Sequence, residues 1–197
     1  MAKIVNKEEK RQEIAIKCKD LLLEKGMKVT ISELAKTAGI GKGTVYEYFK
    51  NKEDMVFEIL NILKEEFNAE LFTRLSGAKN SFEKLLIFFE FFYKDHYELQ
   101  KIYKEFLAIT LTSSNEDMKN YATKSKSFYY SILEDILKEG IERKELKKKA
   151  LKYKNIIYNM CEGLFLESEV TFLIKDKQEA FKKEIELVYK LLKKDKK

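Results

Sequence analysis

The sequence predicts an all-α chain, and three observations carry that expectation. Proline is absent from all 197 residues, whereas average usage of roughly 5% would supply about ten. Apolar residues recur at helical spacing almost throughout, with no convincing run of strand-like alternation. No repeat, low-complexity linker or Gly/Ser-rich tether interrupts the pattern, so with only 7 glycines long helices are the default.

The first helix is expected from about Lys7 to Lys25, with Ile14, Cys18, Leu21 and Leu22 on one stripe and Gly26 where a helix stop belongs. Thr30 and Glu33 form a T-x-x-E capping box, and Ile31, Leu34, Ala35 and Ala38 supply the apolar face of a short second helix. That helix ends in "AGIG", and a third of similar size runs from Lys42 to Phe49. Asn51 caps a longer fourth helix, with Asp54 three residues on. Breaks near 76–80, 94–98, 112–115, 138–149 and 172–177 separate the remaining helical segments. The domain boundary falls near residue 52, inside helix four, dividing a small part (1–52) from a larger one (53–197) packed directly on it.

Composition narrows the classes. Hydrophobic residues make up 45%, enough for a substantial core, and the 37% of charged residues are spread along the chain. The net charge of +6 and pI near 9.0 permit contact with nucleic acid or an anionic surface; a lysine-enriching genome would produce the same excess. Cys18 and Cys161 lie in apolar helical patterns and read as small core hydrophobes in a reducing compartment, against a disulfide or ligand thiol. "MAKIVNKEEKRQEI" turns polar within six residues, unlike a signal peptide, and "LLIFFEFFY" (85–93) is too short for a membrane span and carries Glu90. The expectation is a cytoplasmic protein with no membrane partner.

One stretch asks for a function. "GIGKGTVYEYFKNKEDM" (39–55) holds three of the seven glycines in its first five positions. Two short helices with a turn of about four residues, behind a longer supporting helix, have the dimensions of a helix-turn-helix at about 30–50. Val45 and Phe49 should face the core, which leaves Lys42 with Tyr46, Gly43 with Glu47 and Thr44 with Tyr48 pointing outward. Such a face suits a major groove, with hydroxyls and an ammonium reaching phosphates. Gly39 fits the positive φ of the turn, and Gly41 the N-cap of the third helix. Gly43 costs about 1 kcal/mol relative to Ala inside a helix, a cost offset if the DNA backbone comes close. Lys52 is a cation at the positive end of a helix dipole, where a bound phosphate would reverse the sign. On spacing alone, a helical hairpin with ordinary surface residues stays open.

The longer word "TISELAKTAGIGKGTVYEYFKNKEDM" (30–55) closely resembles the DNA-binding segment of tetracycline-repressor (TetR) family regulators. The similarity runs back to about residue 8 and covers roughly the first quarter of the chain. It implies that Thr30, Lys42, Thr44, Tyr46, Tyr48 and Lys52 contact DNA, mostly its backbone, with Gly41 opening the recognition helix and Gly43 letting it come close. Glu47 either accepts a hydrogen bond from a cytosine amino group or tunes affinity by repelling phosphate. Lys3, Lys7, Lys10 and Arg11 either add sequence-independent attraction or form a solvated basic end.

Residues 53–197 show no catalytic constellation. With His96 the sole histidine, neither a His-based metal cluster nor a triad assembles within one chain, and no Gly-rich phosphate loop appears. No enzyme activity, metal or cofactor is expected. Acidic residues fit solvated helix faces and pairs such as Glu90 with Lys94. Aromatic residues abound, and the helices either enclose an effector pocket or fill with them. Phe89, Tyr93, Tyr103, Phe106, Phe128, Tyr158, Glu162 and Phe165 are the candidate ligand residues. Glu162 is either the anchor for a cationic ligand or a helix-face carboxylate. "RKELKKK" (143–149) reads as a solvated loop.

"ILKEGIERKEL" (136–146) and "IIYNMCEGLFLESEV" (156–170) resemble the family's seventh and eighth helices, with Gly163 in the usual place. The resemblance implies a four-helix homodimer interface through about 148–170 and 177–194. In the last helix Phe181, Ile185, Val188, Leu191 and Leu192 make a stripe fit for such packing, intramolecular packing being the alternative. As a whole it implies an N-terminal three-helix DNA-binding domain joined to a larger ligand-binding and dimerisation bundle. The function implied is a repressor on a near-palindromic operator, released by a small hydrophobic or aromatic effector. A DNA-binding regulator without an effector, and an interaction module that has lost DNA binding, are the rivals.

Overall fold

A computed structural model describes residues 6–194 except Asp95 and Ser113; Lys3 lies outside the described residues. The elements are α1 (Lys7–Lys25), a 3-10 turn (Gly26–Lys28), α2 (Ile31–Ala38), α3 (Lys42–Tyr48), α4 (Lys52–Gly77), α5 (Ser81–Phe88), α6 (Glu90–Tyr93), α7 (Tyr97–Thr112), α8 (Glu116–Glu142), a second 3-10 turn (Lys148–Tyr153), α9 (Lys154–Val170) and α10 (Lys177–Leu192). Among the described residues there is no named strand, only an isolated bridge between Leu146 and Lys193.

Local chemistry starts the helices where the sequence places them. Side chains of Asn6, Thr30, Asn51, Asn80, Asn115 and Asp176 accept from backbone N–H groups of the first turns of α1, α2, α4, α5, α8 and α10. The third helix stops at Tyr48, one residue short of the sequence boundary, because Phe49 turns extended (φ −124°, ψ 134°). The α2–α3 connection takes three residues, 39–41, one fewer than expected. Phe89 adds an unexpected break between α5 and α6.

The chain groups into two compact units: 1–69 with 97–122, and 70–96 with 123–197. The boundary expected near residue 52 falls inside the first unit, at the start of α4. The first unit is organised around a core that includes Ile14, Cys18, Leu22, Leu34, Val45, Phe49, Met55, Ile59, Ile102 and Phe106. In the second, Phe89, Phe92, Tyr158, Phe165 and Phe181 pack ring against ring, with centroids 5.4 Å apart for Phe92–Phe165 and 6.1 Å for Phe89–Tyr158. Glu90 is buried there with Arg74 and Lys94 as ion partners, the Lys94 pairing as expected.

The apolar stripe of the last helix divides. Phe181, Ile185 and Leu192 are buried within their own unit, while Leu191 is 71% exposed and Leu187 also faces outward. The helix expected from about 148 starts with the 3-10 turn at Lys148–Tyr153 and becomes α-helical at Lys154.

Three surface carboxylates, Glu13 exposed and Glu33 and Glu134 half-buried, contribute to the acid response. Glu13 is held at about 2 by Lys10 and Lys17, Glu33 by Lys25 and Thr30, and Glu134 by Lys138 and Lys154. A folded-state value below the ordinary one means these pairs stabilise the fold fully above the ordinary carboxylate range and lose that contribution as pH falls toward 2. The thermal midpoint should therefore hold steady from pH 8 to about 5 and fall between about 4.5 and 2. A midpoint unchanged down to about pH 2 would show that these pairs do not govern acid stability.

Candidate nucleic-acid interface

The platform is built from the buried side of α1. Ile14, Ala15, Cys18 and Leu22 point inward, and the Cys18 thiol donates to the Leu34 carbonyl at 3.3 Å, fastening α1 to α2. Burial pushes that thiol up to about 11, so it behaves as a core group and not as a nucleophile. Cys161, buried and raised by desolvation, is likewise a free core thiol. At the start of α2 the capping box is complete. Thr30 Oγ1 accepts from the Glu33 amide at 3.3 Å, and the Glu33 carboxylate accepts from the Thr30 amide at 2.9 Å and hydroxyl at 2.8 Å. Thr30 is exposed, with its hydroxyl proton already placed.

Between α2 and α3, Gly39 takes the left-handed conformation (φ 71°, ψ 31°) that ends α2, and Gly41 caps α3 from extended backbone. Helix α3 is sided as its spacing predicts except at Thr44 and Tyr48, which the spacing points outward. Val45 is buried and Phe49 follows it into the core. Lys42, Gly43, Tyr46 and Glu47 are exposed, Tyr46 by 52%, while Thr44 and Tyr48 are half-buried and Tyr48 leans on the core. A Cβ built on Gly43 would meet nothing within 4 Å. No packing inside the described chain asks for glycine there.

Arg11 has a different task from that of a solvated basic end. Its Nη1 donates to the Tyr48 carbonyl at 2.5 Å and to Asp54 Oδ2 at 3.2 Å, and its Nη2 donates to Asp54 Oδ1 at 3.1 Å and Glu58 Oε2 at 3.3 Å. The guanidinium also lies 4.5 Å from the centre of the Phe49 ring. One side chain of α1 thus ties the last carbonyl of α3 to the first turns of α4. Burial alone would raise the Asp54 carboxyl, but bonds from Arg11 and the Lys50 amide outweigh it and hold it below its ordinary value. The sequence shows only that Arg11 shares the stripe of Ile14, Ala15 and Cys18; its partners on α4 lie more than forty residues away. Lys7 and Lys10 lie on α1, with Lys10 bonded to Glu13 at 2.7 Å. Lys52 is half-buried and donates to the Met27 carbonyl at 3.2 Å.

The candidate ligand residues do not form one set. Phe106 is buried in the first unit against Phe57 and Tyr121, and Tyr103 belongs to that unit too. Phe89, Tyr158 and Phe165 are in the aromatic core of the second unit, where Tyr93 donates its hydroxyl to the Leu86 carbonyl at 2.7 Å. Phe128 is 38% exposed. Glu162 accepts from Lys126 at 2.7 Å, which meets its charge within the chain. A surface groove of about 410 Å³ beside the α9–α10 loop is lined by Leu164, Glu167, Ile174, Glu179 and Lys183 among others, and by none of the eight. Among the described residues no group of three or more His, Cys, Asp or Glu side chains could hold a metal ion, and no helix is long and apolar enough to cross a membrane.

A capped two-helix unit with an exposed, tyrosine-bearing second helix has the geometry of a helix-turn-helix. Residues 19–59 match the profile of the bacterial regulatory proteins of the tetR family. The chain is 29% identical over 121 residues to the fatty acid metabolism regulator protein of Bacillus subtilis (strain 168), an alignment spanning 60% of each protein. The fold superimposes on a TetR-family transcriptional regulator from Cytophaga hutchinsonii with a TM-score of 0.77 at 18% identity, covering 98% of this chain and 100% of that one. It also superimposes on the transcriptional regulator FadR from Bacillus subtilis, solved in complex with stearoyl-CoA, with a TM-score of 0.64 at 25% identity over 90% and 96% of the two chains. Residues 19–59 thus resemble the DNA-binding segment of the tetR family, and the fold as a whole is that of TetR-type regulators.

Proposed function

We propose that the chain is a cytoplasmic, non-enzymatic repressor that binds a near-palindromic operator as a homodimer and is released by a hydrophobic effector. The observation that carries the DNA contact is the outer face of α3, where Lys42, Tyr46 and Glu47 surround a glycine that internal packing does not require. Residues 1–52 supply that contact, with Thr30, Gly41, Thr44, Tyr48 and Lys52 flanking it, and 53–197 supply effector response and pairing. Two such heads would enter successive major grooves about one helical turn apart.

Pairing is supported by what α9 and α10 leave uncovered. Ile156, Leu166 and Val170 recur at helical spacing on one exposed face of α9, with Gly163 among them, and Leu187 and Leu191 do so on α10. A long acyl thioester is the effector class best supported, because one relative regulates fatty acid metabolism by name and a similar structure holds stearoyl-CoA. Its apolar chain would have to open the aromatic packing around Phe89, Tyr158 and Phe165. That tight packing is the observation favouring the rival reading, a DNA-binding regulator with no effector.

Titration of a labelled operator duplex with and without stearoyl-CoA tests the proposal, with free coenzyme A and stearate as controls. Stearoyl-CoA should weaken operator binding by about 5-fold to 150-fold, the usual range of allosteric coupling. Unchanged affinity at saturating stearoyl-CoA would reject this effector class. In the same assay, Ile156→Asp with Leu191→Asp should give a monomer by sedimentation and lose operator binding; a double variant that still dimerises would reject these faces as the interface.

A further inference from the structure

The turn that joins α1 to α2 is held from two sides. Gly26 sits at φ 64°, ψ −153°, a conformation open essentially to glycine alone. The Glu105 carboxylate of α7 fills the space beside it, so that a Cβ on Gly26 would lie 2.1 Å from Oε2. That same Oε2 accepts the Met27 N–H at 2.6 Å. On the next peptide, the Met27 carbonyl accepts from Lys52 Nζ at 3.2 Å. One turn before Glu105, Lys101 donates to the Glu24 carbonyl at 2.7 Å in the last turn of α1.

The two peptides flanking the Cα of Met27 therefore connect an acceptor on α7 to a donor at the start of α4. Thr30 and the α2 cap follow three residues later. A lysine stem has many rotamers, and a lysine that must find its orientation on arrival loses affinity to that search. An ammonium with one N–H already given to a fixed carbonyl keeps two for a phosphate, aimed by the position of that carbonyl. The aim is only as good as the anchoring of the turn.

We propose that Glu105 is a positioning residue for DNA binding: by holding the Met27 amide it fixes the carbonyl that orients Lys52 toward a phosphate. The inference rests on the DNA-binding function argued above. It gives a residue of the larger sequence-defined part, remote from the helix-turn-helix in sequence, a hold through Met27 on a side chain proposed to contact DNA. Movement of α7 would act on Lys52 through a single carboxylate.

The test is the salt dependence of binding to a fluorescein-labelled duplex selected by the wild-type protein, measured by anisotropy for Glu105→Ala, Glu105→Gln, Lys52→Ala and the Glu105→Ala/Lys52→Ala double variant. Removing one lysine–phosphate pairing lowers the slope of log K against log salt by about 0.9. Glu105→Ala should lower the slope by about one such step per head, as Lys52→Ala does, and the double variant should lower it no further than either. Glu105→Gln retains an acceptor for the Met27 N–H and should keep the wild-type slope. A merely structural role would lower the melting temperature and leave the slope alone. Should Glu105→Ala not fold by circular dichroism, Glu105→Asp, which withdraws the carboxylate but keeps its charge, carries the same comparison. A wild-type slope in Glu105→Ala, a lowered slope in Glu105→Gln, or effects that add in the double variant would overturn the proposal. Failure of the wild-type protein to select any duplex would instead remove the DNA-binding reading beneath it.

Discussion

Gly26→Ala is expected to destabilise the protein by about 3–5 kcal/mol. A side chain at φ 64°, ψ −153° carries backbone strain, typically about 1–3 kcal/mol. The new Cβ must also displace Glu105, whose carboxylate lies 2.1 Å from its ideal position. A carboxylate can swing away, but doing so breaks its 2.6 Å bond from the Met27 amide, and a charge-assisted hydrogen bond contributes roughly 1.5–3 kcal/mol. Total stabilities of about 5–15 kcal/mol leave little margin for that sum. The thermal midpoint should drop by about 10 °C, using roughly 2–4 °C per kcal/mol for a chain of this size. A shift under about 2 °C would mean that the turn relaxes freely and that its geometry is not enforced.

Gly43→Ala should move stability and function in opposite directions. Nothing lies within 4 Å of the position a Cβ would take, so the substitution fits without displacement. Alanine in place of glycine inside a helix is worth up to about 1 kcal/mol, and the thermal midpoint should hold or rise. Operator affinity should nevertheless fall by about tenfold or more, because the methyl group fills the space left for the DNA backbone; tenfold corresponds to about 1.4 kcal/mol. A generally damaged protein would lose both quantities, so the opposed signs identify a contact surface. Raised stability with undiminished affinity would leave Gly43 without a role at the interface.

Much of this architecture is legible in the sequence alone. The capping box at Thr30 and Glu33, the stop at Gly26, the turn at Gly39 and the inward Val45 and Phe49 are all local, set by neighbours within four residues. What escapes a sequence reading depends on residues far apart in the chain. Arg11 reads as part of a basic end until Asp54 and Glu58 are placed around it, and Glu105 carries no local mark of its bond to Met27. Periodicity also locates an apolar stripe without naming its partner. In α10 the stripe suits a second copy, yet Phe181, Ile185 and Leu192 turn into their own unit and leave Leu187 and Leu191 outside. Aromatic content likewise cannot separate a pocket from a filled core. Tyr103 and Phe106 fall in a different unit from Phe89 and Phe165, and Glu162 meets Lys126.

The central claim is that the exposed face of α3 reads DNA. Selection from random-sequence duplexes by the purified protein at about 150 mM salt, followed by footprinting, tests it most directly, since counterion release at low salt would let any basic protein bind. The expected result is a near-palindromic site with protection in successive major grooves, lost in Tyr46→Ala while the fold is retained. Recovery of no enriched sequence, or of one bound equally well by Tyr46→Ala, would contradict it.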